Sequence, residues 1–201
     1  MKKKDMIFGG LFIILGILLD QIIKIVIRVN LTEGSSITII NNFFKISHVE
    51  NKGAAWGGFS GYTIMLIIVS LVILGFFIYM YRNINFKKKI VFSLSLVLVI
   101  SGTIGNLIDR IFFQSVTDFF DFIIFGYDFP VFNIADILLV VGFALFIIDM
   151  FFISGNEKEE KKNEEPIMTI EEEEKKENNE DASLESEDSN EGDIWNSSNR
   201  R

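Results

Sequence analysis

The chain has 201 residues, 49% of them hydrophobic, yet its formal net charge is −8 and its pI is near 4.8. Residues 154–201 carry 17 acidic and 7 basic side chains, whereas residues 1–153 have a net charge of +2 and hold all 21 Phe residues. The acidic pI and the lack of a basic patch exclude nucleic-acid binding, and zero cysteines with a single histidine, His48, predict neither a metal site nor a cofactor.

Four apolar stretches are long enough to cross a bilayer, which takes about 20 helical residues. They cover residues 7–27, 62–81, 90–108 and 131–153. The composition predicts an α-helical membrane protein whose four-helix transmembrane domain spans residues 1–153. Residues 154–201 have low hydrophobicity and runs of charge, which predict a disordered acidic tail in the cytoplasm.

Lysine and arginine in the short flanks predict the orientation, because positive residues stay on the cytoplasmic side. Residues 2–4 are three lysines, and the link at residues 82–89 carries one arginine and three lysines. The longer connections, residues 28–61 and 109–130, have few basic residues. We therefore expect both termini in the cytoplasm and two outer loops.

The two outer loops differ in pattern. The first, around residues 36–49, is rich in β-branched and aromatic residues on either side of Asn41 and Asn42, which predicts a small hairpin or sheet at the outer membrane surface. The second, residues 112–130, is rich in phenylalanine, and we expect it to lie in the membrane interface.

Polar residues interrupt the spans at similar depths, as the helix rise of about 1.5 Å per residue shows. Asp20 lies about 20 Å from the inner boundary, and Asn106 and Asp109 lie about 24 and 28 Å from it. Asn133 and Asp136 are about 3 and 8 Å below the outer boundary. These groups converge near the outer leaflet, and ionisable groups in spans indicate a functional site.

Asp118, in the outer loop, can reach the same zone as Asp136. Two neighbouring carboxylates cannot both ionise comfortably, so one can act as a base toward water and the other as an acid toward a scissile carbonyl. Intramembrane carboxylates also serve proton-coupled transport. The residues alone therefore leave a protease and a small proton-coupled transporter as alternatives.

Two other features have a simpler structural interpretation. Asp20 and Lys24 are four residues apart, on one helix face, and an ion pair between them could simply hold the bundle together. Gly102 and Gly105 could be positions of close packing between helices. We expect His48 to be structural.

Five motifs occur in order along the chain: Asp20-Gln-x-x-Lys24, Asn51-Lys-Gly-Ala-Ala-Trp-Gly57, Ser101-Gly-Thr-Ile-Gly-Asn-Leu-Ile-Asp-Arg110, Val116-Thr-Asp-Phe119 and Phe132-Asn-Ile-Ala-Asp136. Their order and spacing, over about residues 7–150, resemble lipoprotein signal peptidase, also called signal peptidase II, a family of bacterial intramembrane aspartyl peptidases. Ser101 stands where the family motif usually has a glycine, which is a mild change.

The resemblance implies four transmembrane helices with a small extracytoplasmic β-cradle, in a multi-pass protein of the bacterial cytoplasmic membrane. It also implies an endopeptidase with its active site near the outer leaflet. The substrate would be a lipid-modified prolipoprotein, cut just before its diacylglyceryl-modified cysteine. We expect membrane lipids as further partners, no nucleic acid, and a monomer.

The motif match also implies roles for single residues. The two catalytic aspartates fall on Asp118 and Asp136. Trp56 and the Phe-rich loop would cover the site or contact acyl chains, with anchoring in the membrane interface as the alternative for each aromatic residue. The positions that would orient the aspartates, hold the substrate or allow close approach of the chain are Asp20, Lys24, Asn51, Gly53, Gly102, Gly105, Asn106, Asp109, Arg110 and Asn133.

Overall fold

The structure is a computed structural model, and it describes residues 2–53 and 62–153. Trp56 and the predicted tail at 154–201 lie outside the described residues. The elements in chain order are α1 (Lys2–Asn30), β1 (Ser36–Ile40), β2 (Phe44–Asn51), α2 (Thr63–Tyr81), α3 (Ile90–Phe113), β3 (Val116–Ile124), β4 (Tyr127–Asp128), α4 (Ile134–Ile148) and a π-helical extension of α4 (Asp149–Ile153).

The described part of the chain has four helices that are long and apolar enough to cross a membrane: α1, α2, α3, and α4 with its extension. This confirms the predicted four-helix membrane architecture. In an apolar 18-residue stretch of α3, 67% of the residues are buried, compared with 17%, 6% and 11% in the corresponding stretches of α1, α2 and α4. Helix α3 is therefore the centre of the bundle, and the other helices present apolar side chains outward, as lipid contact requires.

Small residues on α3 allow the neighbouring helices to approach it closely. A Cβ atom at Gly102 would overlap with the carbonyl oxygen of Ala135. A Cβ atom at Gly105 would lie 2.7 Å from a carboxylate oxygen of Asp20 and 3.1 Å from the Cβ of Ala135. The two glycines thus bring the start of α4 and the polar part of α1 against α3.

The helix bounds differ from the predicted spans: α1 begins five residues earlier, α3 ends five residues later, and α4 begins three residues later. This helix begins at Ile134, not at residue 131, because Asn133 caps it: the Asn133 side chain accepts the N–H of Asp136 at 2.9 Å. Asp136 in turn accepts the N–H of Asn133 at 3.1 Å, which completes a capping box. Phe132 has extended backbone and bridges to Phe120 on β3. Asn133 is therefore a cap and not part of the fourth span.

The strands form one antiparallel sheet in the order β1-β2-β3-β4. The predicted hairpin is confirmed as β1 and β2, joined at Asn42, whose φ of 56° is left-handed. The Phe-rich second loop contains β3 and β4, and its position in the membrane interface stays a prediction. These strands are hard to recognise in sequence because β3, with the sequence Val-Thr-Asp-Phe-Phe-Asp-Phe-Ile-Ile, does not alternate regularly between apolar and polar residues.

We predict that Gly102→Ala destabilises the bundle by about 1–3 kcal/mol, because the added methyl group must push α4 away from α3. The matched control is Gly75→Ala on α2, where an added Cβ meets no atom within 4 Å. Thermal unfolding in detergent would show a lower midpoint for the Gly102 variant and no decrease for the Gly75 variant. Equal midpoints would mean that the close contact at Gly102 is unimportant.

Candidate active site

Asp118 and Asp136 reach the same cavity from different elements. Asp118 lies on β3, Asp136 lies in the first turn of α4, and both line a cavity of about 1010 Å³. Asn133 links them, since its side-chain amide donates to Asp118 at 2.6 Å and its backbone N–H donates to Asp136 at 3.1 Å. The structure thus brings together two carboxylates that are separated along the chain by the β3–β4 hairpin.

Asp118 is the more deeply buried of the two, with 2% of its surface exposed. Asn51 donates to its second carboxylate oxygen at 2.9 Å. Burial raises the pKa of Asp118 to about 7, and the neighbouring charge of Asp136 acts in the same direction. Hydrogen bonds from Asn51 and Asn133, with the charge of Lys24, act against this rise in pKa but do not cancel it. A carboxyl group of this kind can hold a proton near neutral pH.

Asp136 is held by a different set of donors. The side-chain amide of Asn106 donates to it at 2.7 Å. The carbonyl oxygen of that same Asn106 side chain accepts from Lys24 at 3.0 Å and from Asn133 at 3.2 Å. These two donors fix which end of the Asn106 amide faces Asp136.

Lys24 connects the site to a buried network of charges. Its ammonium group lies 2.8 Å from Asp20 and 3.0 Å from Asp109, and all three side chains are completely buried. The other carboxylate oxygen of Asp20 accepts the backbone N–H of Ala135 at 2.9 Å. Helix α1 therefore positions both α3 and the start of α4 through charged side chains, and Asp20 and Lys24 do form the i, i+4 pair expected from their spacing.

Arg110, Gly53 and Asn51 are linked by hydrogen bonds. The guanidinium group of Arg110 is 3.4 Å from the carbonyl oxygen of Gly53, to which it donates. The N–H of Gly53 donates to the side chain of Asn51 at 2.9 Å. All three residues line the cavity. Of the predicted supporting residues, Gly102 differs, because it packs against Ala135 and Leu139 instead of a polar group.

The cavity has two kinds of wall. The polar part consists of Glu33, Glu50, Asn51, Lys52, Gly53, Arg110, Asp118 and Asp136. Most of the apolar part comes from the end of the β4–α4 connection and from α4, namely Phe129, Pro130, Val131, Phe132, Ile137, Leu139, Val140 and Val141, and Val49 and Val116 of the sheet add to it. Such a cavity can hold a ligand that has both a polar reacting group and a large apolar part. Within the described ranges, no three His, Asp or Glu side chains are grouped so that they could hold a metal ion.

Sequence reasoning missed two residues of the network. Gln21 donates to Asp20 at 3.1 Å and to Asp109 at 3.2 Å. Arg28 lies 2.8 Å from Asp109 and stacks on the ring of Phe113, 4.0 Å from its centroid. A signal was present for Arg28, because it follows Lys24 by four residues and so lies on the same helix face.

The chain is similar in sequence to known proteins. The family model described as "Signal peptidase (SPase) II" matches residues 12–152. A lipoprotein signal peptidase of Staphylococcus carnosus (strain TM300) is 39% identical over 159 residues, which is 79% of this chain and 99% of that protein. A lipoprotein signal peptidase of Clostridium acetobutylicum is 42% identical over 150 residues, which is 74% of this chain and 96% of that protein.

The fold is also similar to solved structures. A bacterial membrane enzyme determined by the in meso method at 2.3 Å resolution superposes with a TM-score of 0.68 at 34% sequence identity. The alignment covers 74% of this chain and 90% of that structure.

We predict that Lys24→Met destabilises the protein by about 3–5 kcal/mol, because two buried carboxylates lose their partner while the side-chain volume is kept. The matched control is Lys88→Met in the exposed link between α2 and α3. Thermal unfolding in detergent should show a large decrease of the midpoint for the Lys24 variant and almost none for the control. A Lys24 variant as stable as the wild type would show that the buried ion pairs do not hold the bundle.

Proposed function

This chain belongs to the signal peptidase II family, and we propose that Asp118 and Asp136 are the catalytic pair with which it removes signal peptides from prolipoproteins. The chain is a protease by family, and the proposal makes it an intramembrane aspartic endopeptidase. One observation carries the proposal: two carboxylates from separate elements line one cavity and are joined through Asn133.

The two carboxylates take different roles in the proposed mechanism. Asp118, with its pKa raised to about 7, carries the proton and donates it to the oxygen of the scissile carbonyl. Asp136 accepts a proton from a water molecule, whose oxygen attacks the carbonyl carbon. The tetrahedral intermediate then collapses, the C–N bond breaks, and the leaving nitrogen takes a proton from Asp136, while Asp118 regains its own from the intermediate. Both carboxyl groups return to their starting states.

The two walls of the cavity support a lipid-modified substrate. The apolar wall formed by α4 and residues 129–132 suits acyl chains, so we propose that the cleaved bond precedes a diacylglyceryl-modified cysteine. Asn51, Gly53 and Arg110 belong to the polar part of the lining and offer polar groups to the substrate backbone. A substrate with its lipid in the outer leaflet can reach such a site laterally from the bilayer.

The protein is a multi-pass bacterial membrane protein, and we propose its orientation from the charges of its loops. The lysines at residues 2–4 and 87–89 support a cytoplasmic position for both termini, with the sheet outside and the active site near the outer leaflet. We further propose a monomer in contact with membrane lipids. A boundary after Ile153, with an acidic cytoplasmic tail at 154–201, stays a prediction.

The alternative of a proton-coupled transporter is supported by none of these observations. The family match points to a protease. The candidate carboxylates gather at one cavity, whereas a proton relay would need them spread through the membrane. Release of a signal peptide by purified protein in detergent, where no second compartment exists, separates the two functions.

We predict that Asp118→Asn and Asp136→Asn each reduce cleavage of a lipid-modified prolipoprotein to background, because an amide can neither donate the acid's proton nor act as the base. The matched control is Asp128→Asn on β4, an exposed aspartate on the same sheet, which should keep wild-type activity. The measurement is release of the signal peptide by purified protein at equal amounts of folded enzyme. Substantial cleavage by either Asp118→Asn or Asp136→Asn would refute the catalytic pair.

We predict that kcat/KM falls as the pH rises through about 7, because the raised pKa keeps the Asp118 carboxyl protonated below that value and lets it ionise above. The measurement is the pH profile of cleavage in detergent, with unfolding followed at each pH as the control. A rate that stays constant across this pH range would contradict the role of Asp118 as the acid.

A further inference from the structure

Next to Asp118, strands β2 and β3 carry a second set of side chains on the other face of the sheet. Val49 pairs with Asp118, Glu50 with Thr117, and Asn51 with Val116. Successive side chains of a strand point to alternate faces of the sheet, and residues directly opposite each other on paired strands point to the same face. Glu50 and Thr117 therefore lie on the face opposite to that of Asp118. The face behind the catalytic aspartate thus has polar residues of its own.

The carboxylate of Glu50 gathers side chains from both strands. It accepts hydrogen bonds from the hydroxyl of Ser115 and, at 2.9 Å, from the hydroxyl of Thr117. His48 Nε2 lies 2.9 Å from the same carboxylate, and the other ring nitrogen lies 2.8 Å from the carbonyl oxygen of Leu31. Burial tends to raise the pKa of Glu50, but these hydrogen bonds and the charge of Arg28 outweigh burial and hold that pKa below its ordinary value.

Thr117 is the immediate neighbour of Asp118 and is fixed by three different elements. Its hydroxyl accepts from Arg28 of α1 at 2.7 Å and donates to Glu50 of β2. Its backbone N–H donates to Asp109 of α3 at 3.2 Å. With all three contacts made, the peptide that leads into Asp118 has little freedom to shift.

The same contacts continue toward the second catalytic residue. Arg28 and Lys24 both pair with Asp109, at 2.8 Å and 3.0 Å. Lys24 donates to Asn106, which in turn donates to Asp136 at 2.7 Å. One network of α1 side chains therefore sets the position of β3 on one side and the orientation of Asp136 on the other.

We propose that Glu50 is a positioning residue for the reaction. Its carboxylate contacts both Thr117 and Arg28 and so holds the segment of β3 that carries Asp118 in position against α1 and α3. The inference rests on the proposed catalytic role of Asp118. Glu50 is also part of the cavity lining, and the proposal is that it acts through Thr117 and not by binding the substrate. Without its charge, Arg28 has one carboxylate partner fewer, and the β3 segment is free to move relative to Asp136.

The test is Glu50→Gln in the full chain, with a lipid-modified prolipoprotein as substrate. The variant keeps the size of the side chain but removes the charge and one acceptor oxygen. We expect kcat to fall about ten- to a hundredfold, because a misplacement of about 1 Å in a reacting group can cost a hundredfold. KM should change by less than about twofold, because the groups proposed to bind the substrate are untouched.

Thr117 supplies a second pair of variants that does not depend on how Glu50→Gln folds. Thr117→Val keeps the branched shape but loses the hydroxyl, and we expect the same decrease in kcat as for Glu50→Gln. Thr117→Ser keeps the hydroxyl and should recover most of the rate. A role limited to filling space in the sheet predicts the reverse order, because valine matches the volume of threonine better than serine does.

The matched control is Asp121→Asn on the same strand. Asp121 accepts a hydrogen bond from Ser47 of β2 at 2.6 Å, so this variant also weakens a link between β2 and β3 that involves a carboxylate. It should leave kcat unchanged. If Asp121→Asn lowers kcat as much as Glu50→Gln does, the effect is a general loosening of the sheet and the inference is wrong.

Asp118→Asn, measured in the same assay, separates failure of this inference from failure of the proposed function. An inactive Asp118→Asn together with a Glu50→Gln variant of wild-type kcat would overturn the positioning role alone. An active Asp118→Asn would overturn the catalytic assignment on which it rests. A Glu50→Gln variant with unchanged kcat and raised KM would assign Glu50 to substrate binding and would also overturn the inference.

Discussion

Lys24 is completely buried in a bundle that exposes apolar side chains on most of its outer surface, and an ammonium group in such a place must be paired. Its partners are Asp20, Asp109 and the side-chain carbonyl of Asn106. Because these partners come from α1 and α3, the need to satisfy one charge fixes two helices in a single register. The position of the candidate active site depends on this register of α1 and α3.

The partners of Lys24 also hold the elements that carry the two candidate catalytic aspartates. Asp20 accepts the N–H of Ala135 and so holds the start of α4, where Asp136 lies. Asp109 accepts the N–H of Thr117 and so holds β3 beside Asp118. A buried ionic network is weak support for stability by itself, but removing one member leaves the others uncompensated. The network is thus best understood as a means of specifying geometry.

Much of the fold could be predicted because a bilayer imposes a simple rule on sequence. A spanning helix needs a long apolar run, and four such runs are present, as the structure confirms. The hairpin of β1 and β2 was also predictable from alternation around an asparagine turn. Strand β3 was not, because its sequence pairs Phe119 with Phe120 and Ile123 with Ile124, so apolar and polar residues do not alternate regularly along it. The cap at Asn133 was missed because a hydropathy pattern does not distinguish the last residue before a helix from the first residue within it.

By itself the sequence determined the number of helices, the lack of thiol chemistry and, through the order of five motifs, the family and the residues to examine. Those properties depend on composition and local spacing, which are visible along the chain. The tertiary structure decided the hydrogen-bond partners of the buried polar side chains. Asn133 joins the two aspartates, Arg28 belongs to the network, and Glu50 contacts Thr117 on the neighbouring strand. Such contacts join residues far apart in sequence, and their distances depend on the packing of helices around α3, which no local pattern records.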